Sequence, residues 1–304
     1  MKVLVTGGAG FIGSHIVESL LENNIEVVVI DNLATGHKHH IPSGATFYYF
    51  DIRDPGIDKI FRIEKPDVVI HQAAQVSVQE SVKQPLYDCS ENIMATINIL
   101  QSCVKYNVKK IIHASTAAVY GNPKYLPIDE DHELNPLSFY GLSKWSSEAY
   151  IQLFAKLSGL KYTILRYSNV YGARQDANGE AGVVSIFIDR LLKNESPIIY
   201  GDGKQTRDFI FVKDVAYANF LALRHADNQI CNISSNQEIS VNELLDIICS
   251  VMKIKDKRIY KERRAGDIIS SSLLNNKARK HLNWEPQFSL LRGLEETVSF
   301  FRKE

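Results

Sequence analysis

The apolar run Lys2–Thr6 is followed at once by a turn holding Gly7, Gly8, Gly10 and Gly13, then by a helix-like stretch from Ser14 to Glu22. A second apolar run, Ile25–Ile30, ends in Asp31. Strand, glycine turn, helix and a second strand tipped with a carboxylate form a dinucleotide-binding βαβ unit. Glycines let the backbone approach a pyrophosphate, and a helix N-terminus offers free N–H groups and the positive end of its dipole. Asp31 can accept hydrogen bonds from an adenosine ribose, and its charge repels a 2′-phosphate, so the expected cofactor is NAD rather than NADP. A glycine triplet alone is weak support. The ordered context around Gly7-x-x-Gly10-x-x-Gly13 carries the reading.

Short runs rich in Val, Ile, Phe or Tyr at 2–6, 26–31, 46–51, 67–71, 109–114 and 161–166 read as strands covered on both faces. Helical stretches are expected at 11–22, 55–63, 78–106 and 139–157. The alternation predicts an α/β fold with a Rossmann-type, doubly wound parallel sheet over residues 1–172. Ligands of such sheets sit beyond the carboxyl ends of the strands. The strand ends there are Asp51-Ile52-Arg53, His71-Gln72-Ala73-Ala74, Ala114-Ser115-Thr116-Ala117-Ala118 and Arg166-Tyr167-Ser168-Asn169. Asp51 could meet an adenine amino group, and Ala73 and Ala74 leave room for a flat ligand. Beyond 172 the alternation weakens, with short helices near 183–194, 213–226, 240–252, 275–281 and 289–302. Residues 173–304 are expected to form a smaller substrate-binding region, with possible returns of the chain to the first domain.

Lys plus Arg and Asp plus Glu are equal at 35 each, so no bulk charge draws the chain to nucleic acid or an anionic membrane. No stretch approaches the ~20 apolar residues that span a bilayer, and no signal-like segment precedes the first strand. A soluble, cytoplasmic protein is expected. Its four scattered cysteines are expected to be reduced. His37, His39 and His40 lie in a polar loop without Cys or carboxylate partners, and no metal site is expected there.

Ser138 is placed to cap a helix that carries Tyr140 and Lys144, four residues apart and so on one face. A tyrosine ionises near pH 10. A neighbouring ammonium, an oxidised nicotinamide and the first turn of a helix all favour its phenolate. Tyr140 could then take the proton of a substrate hydroxyl, with Thr116 a second hydroxyl at the reacting oxygen.

The glycine turn, the Thr116 segment and Tyr140-x-x-x-Lys144 resemble the extended short-chain dehydrogenase/reductase family. More narrowly, the chain is similar over essentially its whole length to the UDP-glucose 4-epimerases. The resemblance implies a tightly held NAD, a UDP-hexose substrate, and loss and return of hydride at C4 through a 4-keto sugar that turns over in the pocket. It adds Phe11, Ile12, Asn32, Ile52, Gln75, Asn92, Ser115 and Tyr167 to the cofactor residues Gly7, Gly10, Gly13, Asp31, Asp51, Ala73, Ala74, Tyr140 and Lys144. For the substrate it implies Thr116, Tyr140, Asn169 and Val184, with Tyr200 near the uracil, Arg207 and Arg264 on the diphosphate, Asp267 on the uridine ribose and Ser271 beside the sugar. Guanidinium forks suit a diphosphate by geometry and charge. Family members often dimerise through a four-helix bundle, and the helices at 78–106 and 139–157 would supply one.

Three departures stand out. Val76 replaces a lysine found near the cofactor in some members, and Ser168 replaces a Phe. Ser271 stands where glucose- and galactose-restricted members carry a bulky aromatic, so room is expected for an N-acetyl group and UDP-N-acetylglucosamine joins the expected substrates. The family's dehydratases need an acid–base pair after the catalytic Thr. Ala117 and Ala118 cannot transfer protons, and decarboxylases usually show a Glu in that stretch. A UDP-glucuronate 4-epimerase would need a C6 lining that is not identifiable here. A non-catalytic NAD-binding regulator would be expected to lack Thr116, Tyr140 or Lys144, and all three are present.

Overall fold

The structure, a computed structural model, describes residues 1–177, 182–263 and 268–303. The first half alternates β1 (Lys2–Thr6), α1 (Phe11–Glu22), β2 (Glu26–Asp31), β3 (Thr46–Tyr49), α2 (Ile57–Glu64), β4 (Val68–His71), α3 (Val78–Lys83), α4 (Pro85–Cys89), α5 (Ala95–Lys105), β5 (Lys110–Thr116), α6 (Phe139–Ser158) and β6 (Lys161–Tyr167). It continues through β7 (Asn169–Tyr171), α7 (Val183–Leu192), β8 (Ile198–Tyr200), β9 (Thr206–Arg207), β10 (Phe209–Phe211), α8 (Val212–Ala222), β11 (Gln229–Ile233), β12 (Ile239–Ser240), α9 (Val241–Met252), β13 (Ile259–Lys261), α10 (Asn276–Leu282) and α11 (Leu290–Phe301).

Seven strands make one parallel sheet in the order β11-β6-β5-β4-β1-β2-β3. The order reverses between β1 and β4, which opens a crevice at their carboxyl ends. Val3 and Val5 point to a core shared with Ile16, Val17 and Leu20 of α1 and Ala218 and Ala222 of α8. Leu4 points the other way, to Phe61 of α2, Ile99 and Leu100 of α5 and Ile151 of α6. The period-two alternation thus serves two helical layers.

Two features depart from the sequence expectation. The stretch 78–106 is not one helix. It stops at Lys83, restarts at Pro85, and passes through a π-helical turn at Ser90–Met94 before α5. Proline disfavours helical backbone in the residue before it and cannot donate to the preceding turn. The seventh sheet strand, β11, was also not expected. Its Asn232 looks polar in sequence, yet the side chain accepts from the Tyr120 hydroxyl at 2.7 Å and donates to the Ile128 and Leu274 carbonyls. The chain beyond residue 172 therefore returns to the sheet. Trp284, fully buried, fastens this return by donating its indole N–H to the Asp214 carbonyl at 3.0 Å.

Candidate active site

The glycine turn is as tight as its sequence requires. Gly7 has φ +70°, and a Cβ there would lie 2.7 Å from the Ala73 amide nitrogen. A Cβ on Gly13 would lie 2.0 Å from the Gly7 carbonyl oxygen. No side chain caps the start of α1 at Gly10, so Phe11, Ile12 and Gly13 open a helix end lined by backbone donors. Asp31 Oδ2 accepts from the Ala9 amide at 2.9 Å and Oδ1 from the Leu33 amide at 2.8 Å, which anchors the turn to the end of β2. Burial raises the Asp31 pKa while those two amides oppose the shift. Farther along the rim, Asn32 donates to Asp51 at 3.2 Å, and Arg53 grips Asp51 through Nε at 3.0 Å and Nη2 at 2.6 Å. The Arg53 fork holds the Asp51 carboxyl down at about 2. A cradle that one methyl group would fill, an uncapped helix end and a buried carboxylate fit a dinucleotide.

The reaction segments meet at the neighbouring strand ends. Thr116 closes β5, and its Oγ1 accepts from the Ala118 amide at 3.2 Å. Ser138 caps α6 by accepting from the Gly141 amide at 3.1 Å. A Cβ on Gly141 would lie 2.6 Å from the Ala118 carbonyl oxygen, so the first turn of α6 presses on the turn that follows Thr116. This contact brings Thr116 and the half-buried Tyr140 to one rim. One helical turn on, Lys144 is buried, and burial pushes its ammonium down to about 8 against the pull of Glu148 and Asp88. Beneath it, His71 shares hydrogen bonds with Thr6 at 2.7 Å and Thr96 at 3.0 Å. The His113 ring lies beside it, tilted by 37° with ring centroids 5.4 Å apart, and neither of its nitrogens is bonded among the described residues. Burial and, secondarily, Lys144 hold both imidazoles in the neutral form, His71 down at about 3.

Several expected ligand residues prove committed to the protein. Asn92 lies in the π-helical turn; it accepts from the Gln75 amide at 2.9 Å and donates to the Gln75 carbonyl at 3.0 Å and Ser143 Oγ at 2.9 Å. It thereby ties the loop after β4, with Ala73, Ala74 and Gln75, to α6. The Ser115 hydroxyl donates to Glu148 at 2.5 Å, and the Tyr167 hydroxyl accepts from Gln72 at 3.1 Å and Asn219 at 2.8 Å. Ile52 is buried, and its carbonyl accepts from Asn98 at 2.7 Å.

Of the substrate positions, Asn169 is exposed at the start of β7, and Tyr200 and Arg207 end β8 and β9. Ser271 lies against β9, its amide donating to the Thr206 carbonyl at 3.3 Å. Val184 lies in the first turn of α7, where a ligand would meet its backbone amide and not its side chain. Its side chain is 1% exposed and packs in the core with Phe187 and Leu244, because the first turn of α7 faces inward. Arg264 and Asp267 lie outside the described residues. The sequence reading missed Glu148, although it follows Tyr140 and Lys144 at the same four-residue interval and that period was legible. It also missed Asp208, buried beside Arg207, whose five hydrogen bonds join residues distant in sequence. Among the described residues no group of three His, Cys, Asp or Glu is arranged to hold a metal, and no helix is long and apolar enough to cross a membrane.

Fold and turn together define a dinucleotide-binding enzyme of the Rossmann class. The model of the NAD dependent epimerase/dehydratase family matches residues 3–234. A provisionally named UDP-glucose 4-epimerase of Methanocaldococcus jannaschii is 52% identical over 301 residues, spanning 99% of this chain and 98% of its own length. The crystal structure of UDP-glucose 4-epimerase from Thermotoga maritima with UDP-glucose superposes with a TM-score of 0.98 at 45% identity, covering 100% of this chain and 99% of that one. UDP-N-acetylglucosamine 4-epimerase from Methanobrevibacter ruminantium, in complex with UDP-N-acetylmuramic acid, does so with 0.95 at 37%, covering 99% and 98%. The chain belongs to the NAD dependent epimerase/dehydratase family.

The depressed Lys144 pKa has a stability consequence. Below pH 8 the buried ammonium is charged in both folded and unfolded chains and penalises the fold; between about 8 and 10.5 the unfolded chain binds more protons, so stability rises with pH. Lys144→Met is expected to stabilise the cofactor-free protein at pH 7 by on the order of 2–3 kcal/mol, with the gain shrinking toward pH 10. Urea denaturation across that range measures it.

Proposed function

We propose that this enzyme is an isomerase that inverts C4 of a UDP-hexose, interconverting UDP-glucose and UDP-galactose through a 4-keto sugar. The observation that carries the reading is the contact of the first turn of α6, which bears Tyr140 with Lys144 one turn on, with the turn after Thr116. The names of the relatives support the same activity. Gly7, Gly10, Phe11, Ile12, Gly13, Asp31 and the Asp51 segment would hold NAD, which when bound supplies reversible oxidation at C4. The Tyr140 phenolate takes the proton of the C4 hydroxyl and later returns it to the ketone oxygen. The Lys144 ammonium and the N-terminus of α6 favour that phenolate. Thr116 hydrogen-bonds the reacting oxygen. Asn169, Tyr200 and Arg207, with Arg264 and Asp267, hold the UDP portion in residues 173–304 and the adjoining strand β7, leaving the sugar free to present either face. Ala117 and Ala118 offer no acid or base for elimination of water.

Purified enzyme mixed with UDP-glucose, without added NAD, should yield UDP-galactose by proton NMR. Tyr140→Phe should lower kcat by about 10²–10⁴ while retaining NAD. Full activity in that variant would overturn the mechanism.

A small Ser271 leaves space beside the sugar, and the Methanobrevibacter relative is named for an N-acetylated substrate. We therefore include UDP-N-acetylglucosamine and UDP-N-acetylgalactosamine among the substrates. Ser271→Tyr should cut kcat/KM for UDP-N-acetylglucosamine at least about tenfold while sparing UDP-glucose, a preference measurable in competition.

Val82 on α3, Leu86 on α4, Met94 in the π-helical turn and Leu153 and Leu157 on α6 are each more than half exposed, and α3 and α4 both pack along α6. An apolar face of that extent suits burial against a second copy as a four-helix bundle. The double substitution Leu153→Glu and Leu157→Glu should shift the sedimentation coefficient from dimer to monomer. An unchanged coefficient would reject the bundle. The free cysteines, of which Cys103, Cys231 and Cys249 are buried, fit a reducing cytoplasm.

A further inference from the structure

We infer that Asp208 is a positioning residue for the nucleotide sugar, its buried carboxylate tying together the segments that carry Asn169, Arg207 and Ser271 and so fixing the substrate cleft. The inference rests on the proposed reading of those three residues as substrate contacts. Asp208 is 1% exposed and follows Arg207 directly. Its Oδ1 accepts from the Ser235 amide and hydroxyl, both at 2.8 Å, and from the Ser168 hydroxyl at 3.3 Å. Its Oδ2 accepts from the Asn236 amide at 3.1 Å and the Leu273 amide at 3.2 Å. Its carbonyl oxygen accepts from the Asn169 amide at 2.9 Å. One side chain is thus bonded one residue before Asn169 and two residues after Ser271, while its own backbone carries Arg207.

Every donor on this carboxylate is neutral, and three of the five are backbone amides whose positions are set by the chain path. A carboxylate is the side chain that only accepts, with about four lone-pair sites on two oxygens. An amide cannot replace it. In either orientation its NH₂ would face N–H or O–H donors, leaving buried donors unsatisfied and pushing the segments apart. The neighbouring backbone supports the same closure: the Thr206 amide donates to the Ile269 carbonyl at 2.9 Å and the Ser234 hydroxyl to the Leu273 carbonyl at 2.8 Å. Among the described residues, no bond of this knot reaches the glycine turn or α6. Its loss should therefore be felt by the nucleotide sugar and not by the cofactor or the proton transfer.

The test uses the full-length, cofactor-loaded enzyme with Asp208→Asn and the milder Ser235→Ala, which removes one hydroxyl donor and leaves the amide. Bound NAD, kcat and KM for UDP-glucose, and the Kd of UDP by calorimetry are measured. Asp208→Asn is expected to raise KM and the UDP Kd at least about tenfold, with kcat within about threefold and bound NAD unchanged. Ser235→Ala should give the same split at about two- to fivefold. Unchanged KM and Kd in Asp208→Asn overturn the inference, as does a fall of kcat or bound NAD in proportion to the loss of UDP affinity. Should Asp208→Asn fail to fold, the Ser235→Ala split decides alone, and its absence overturns the inference. A wild-type enzyme that binds UDP but leaves UDP-glucose unconverted would reject the epimerase reading, and the UDP affinities of the variants would still decide the role of Asp208.

Discussion

The pairing of Arg166 with Glu148, nearly excluded from solvent, determines where the reaction helix sits. Arg166 Nη2 lies 2.6 Å from Glu148 Oε2 and Nε 3.0 Å from Oε1, so the two groups meet as a fork on a carboxylate. Removing both charges from water costs several kcal/mol each, and the arrangement persists because each guanidinium nitrogen of Arg166 and each carboxylate oxygen of Glu148 has a hydrogen-bond partner. Ser115 supplies a third donor to Glu148, Tyr120 accepts from Arg166 at 3.0 Å, and Asn232 takes the Tyr120 hydroxyl. The network crosses β5, β6, α6 and β11. It therefore helps to set the face of α6 that carries Tyr140 and Lys144 against the end of β5, and through Asn232 it joins the late strand β11, which is itself laddered to β6, to the same layer.

Lys144 shows the opposite balance. Its ammonium is held in the interior one turn from Glu148 without a matched fork, over two imidazoles that stay neutral. The fold bears this cost at a buried lysine beside the rim of the sheet, and perturbed buried charges of this kind concentrate at functional sites in general. Glu148 thus has two parts. It completes the bond to Arg166, and its residual field partly supports the lysine charge. The Asn92 amide closes the other side by joining the π-helical turn to both the cofactor loop and α6. The exposed apolar side chains Val82, Leu86, Leu153 and Leu157 lie on the outer surfaces of α3, α4 and α6 in this same layer.

The legible parts of the sequence were those in which local chemistry has one outcome. The six strands that were expected are present within three residues at either end, because Val- and Ile-rich runs between turns have few alternatives. Ser138 was legible as a cap for the same reason. The stretch 78–106 misled because its apolar spacing is helical throughout, while the interruption depends on Pro85 and on one extra residue in the turn around Asn92. The inward turn of the Val184 side chain was not legible, since only packing decides whether a valine at a helix start faces a cleft or a core. Asp208 and Asn232 were illegible, since a polar residue acquires meaning there from partners 27 to 112 positions away.

The sequence by itself determined the βαβ cradle, the parallel class of the sheet and the helix that carries Tyr140 and Lys144. Each follows from periodicity, glycine sterics or capping within about 30 residues of chain. Only the tertiary structure decided that β11 completes the sheet, that Glu148 and Arg166 hold α6 in place, and that the Asp208 carboxylate gathers residues 168, 235, 236 and 273. Those outcomes rest on desolvation. A buried charge or amide must find its partners wherever the fold brings them, and no local spacing in the chain records where that will be.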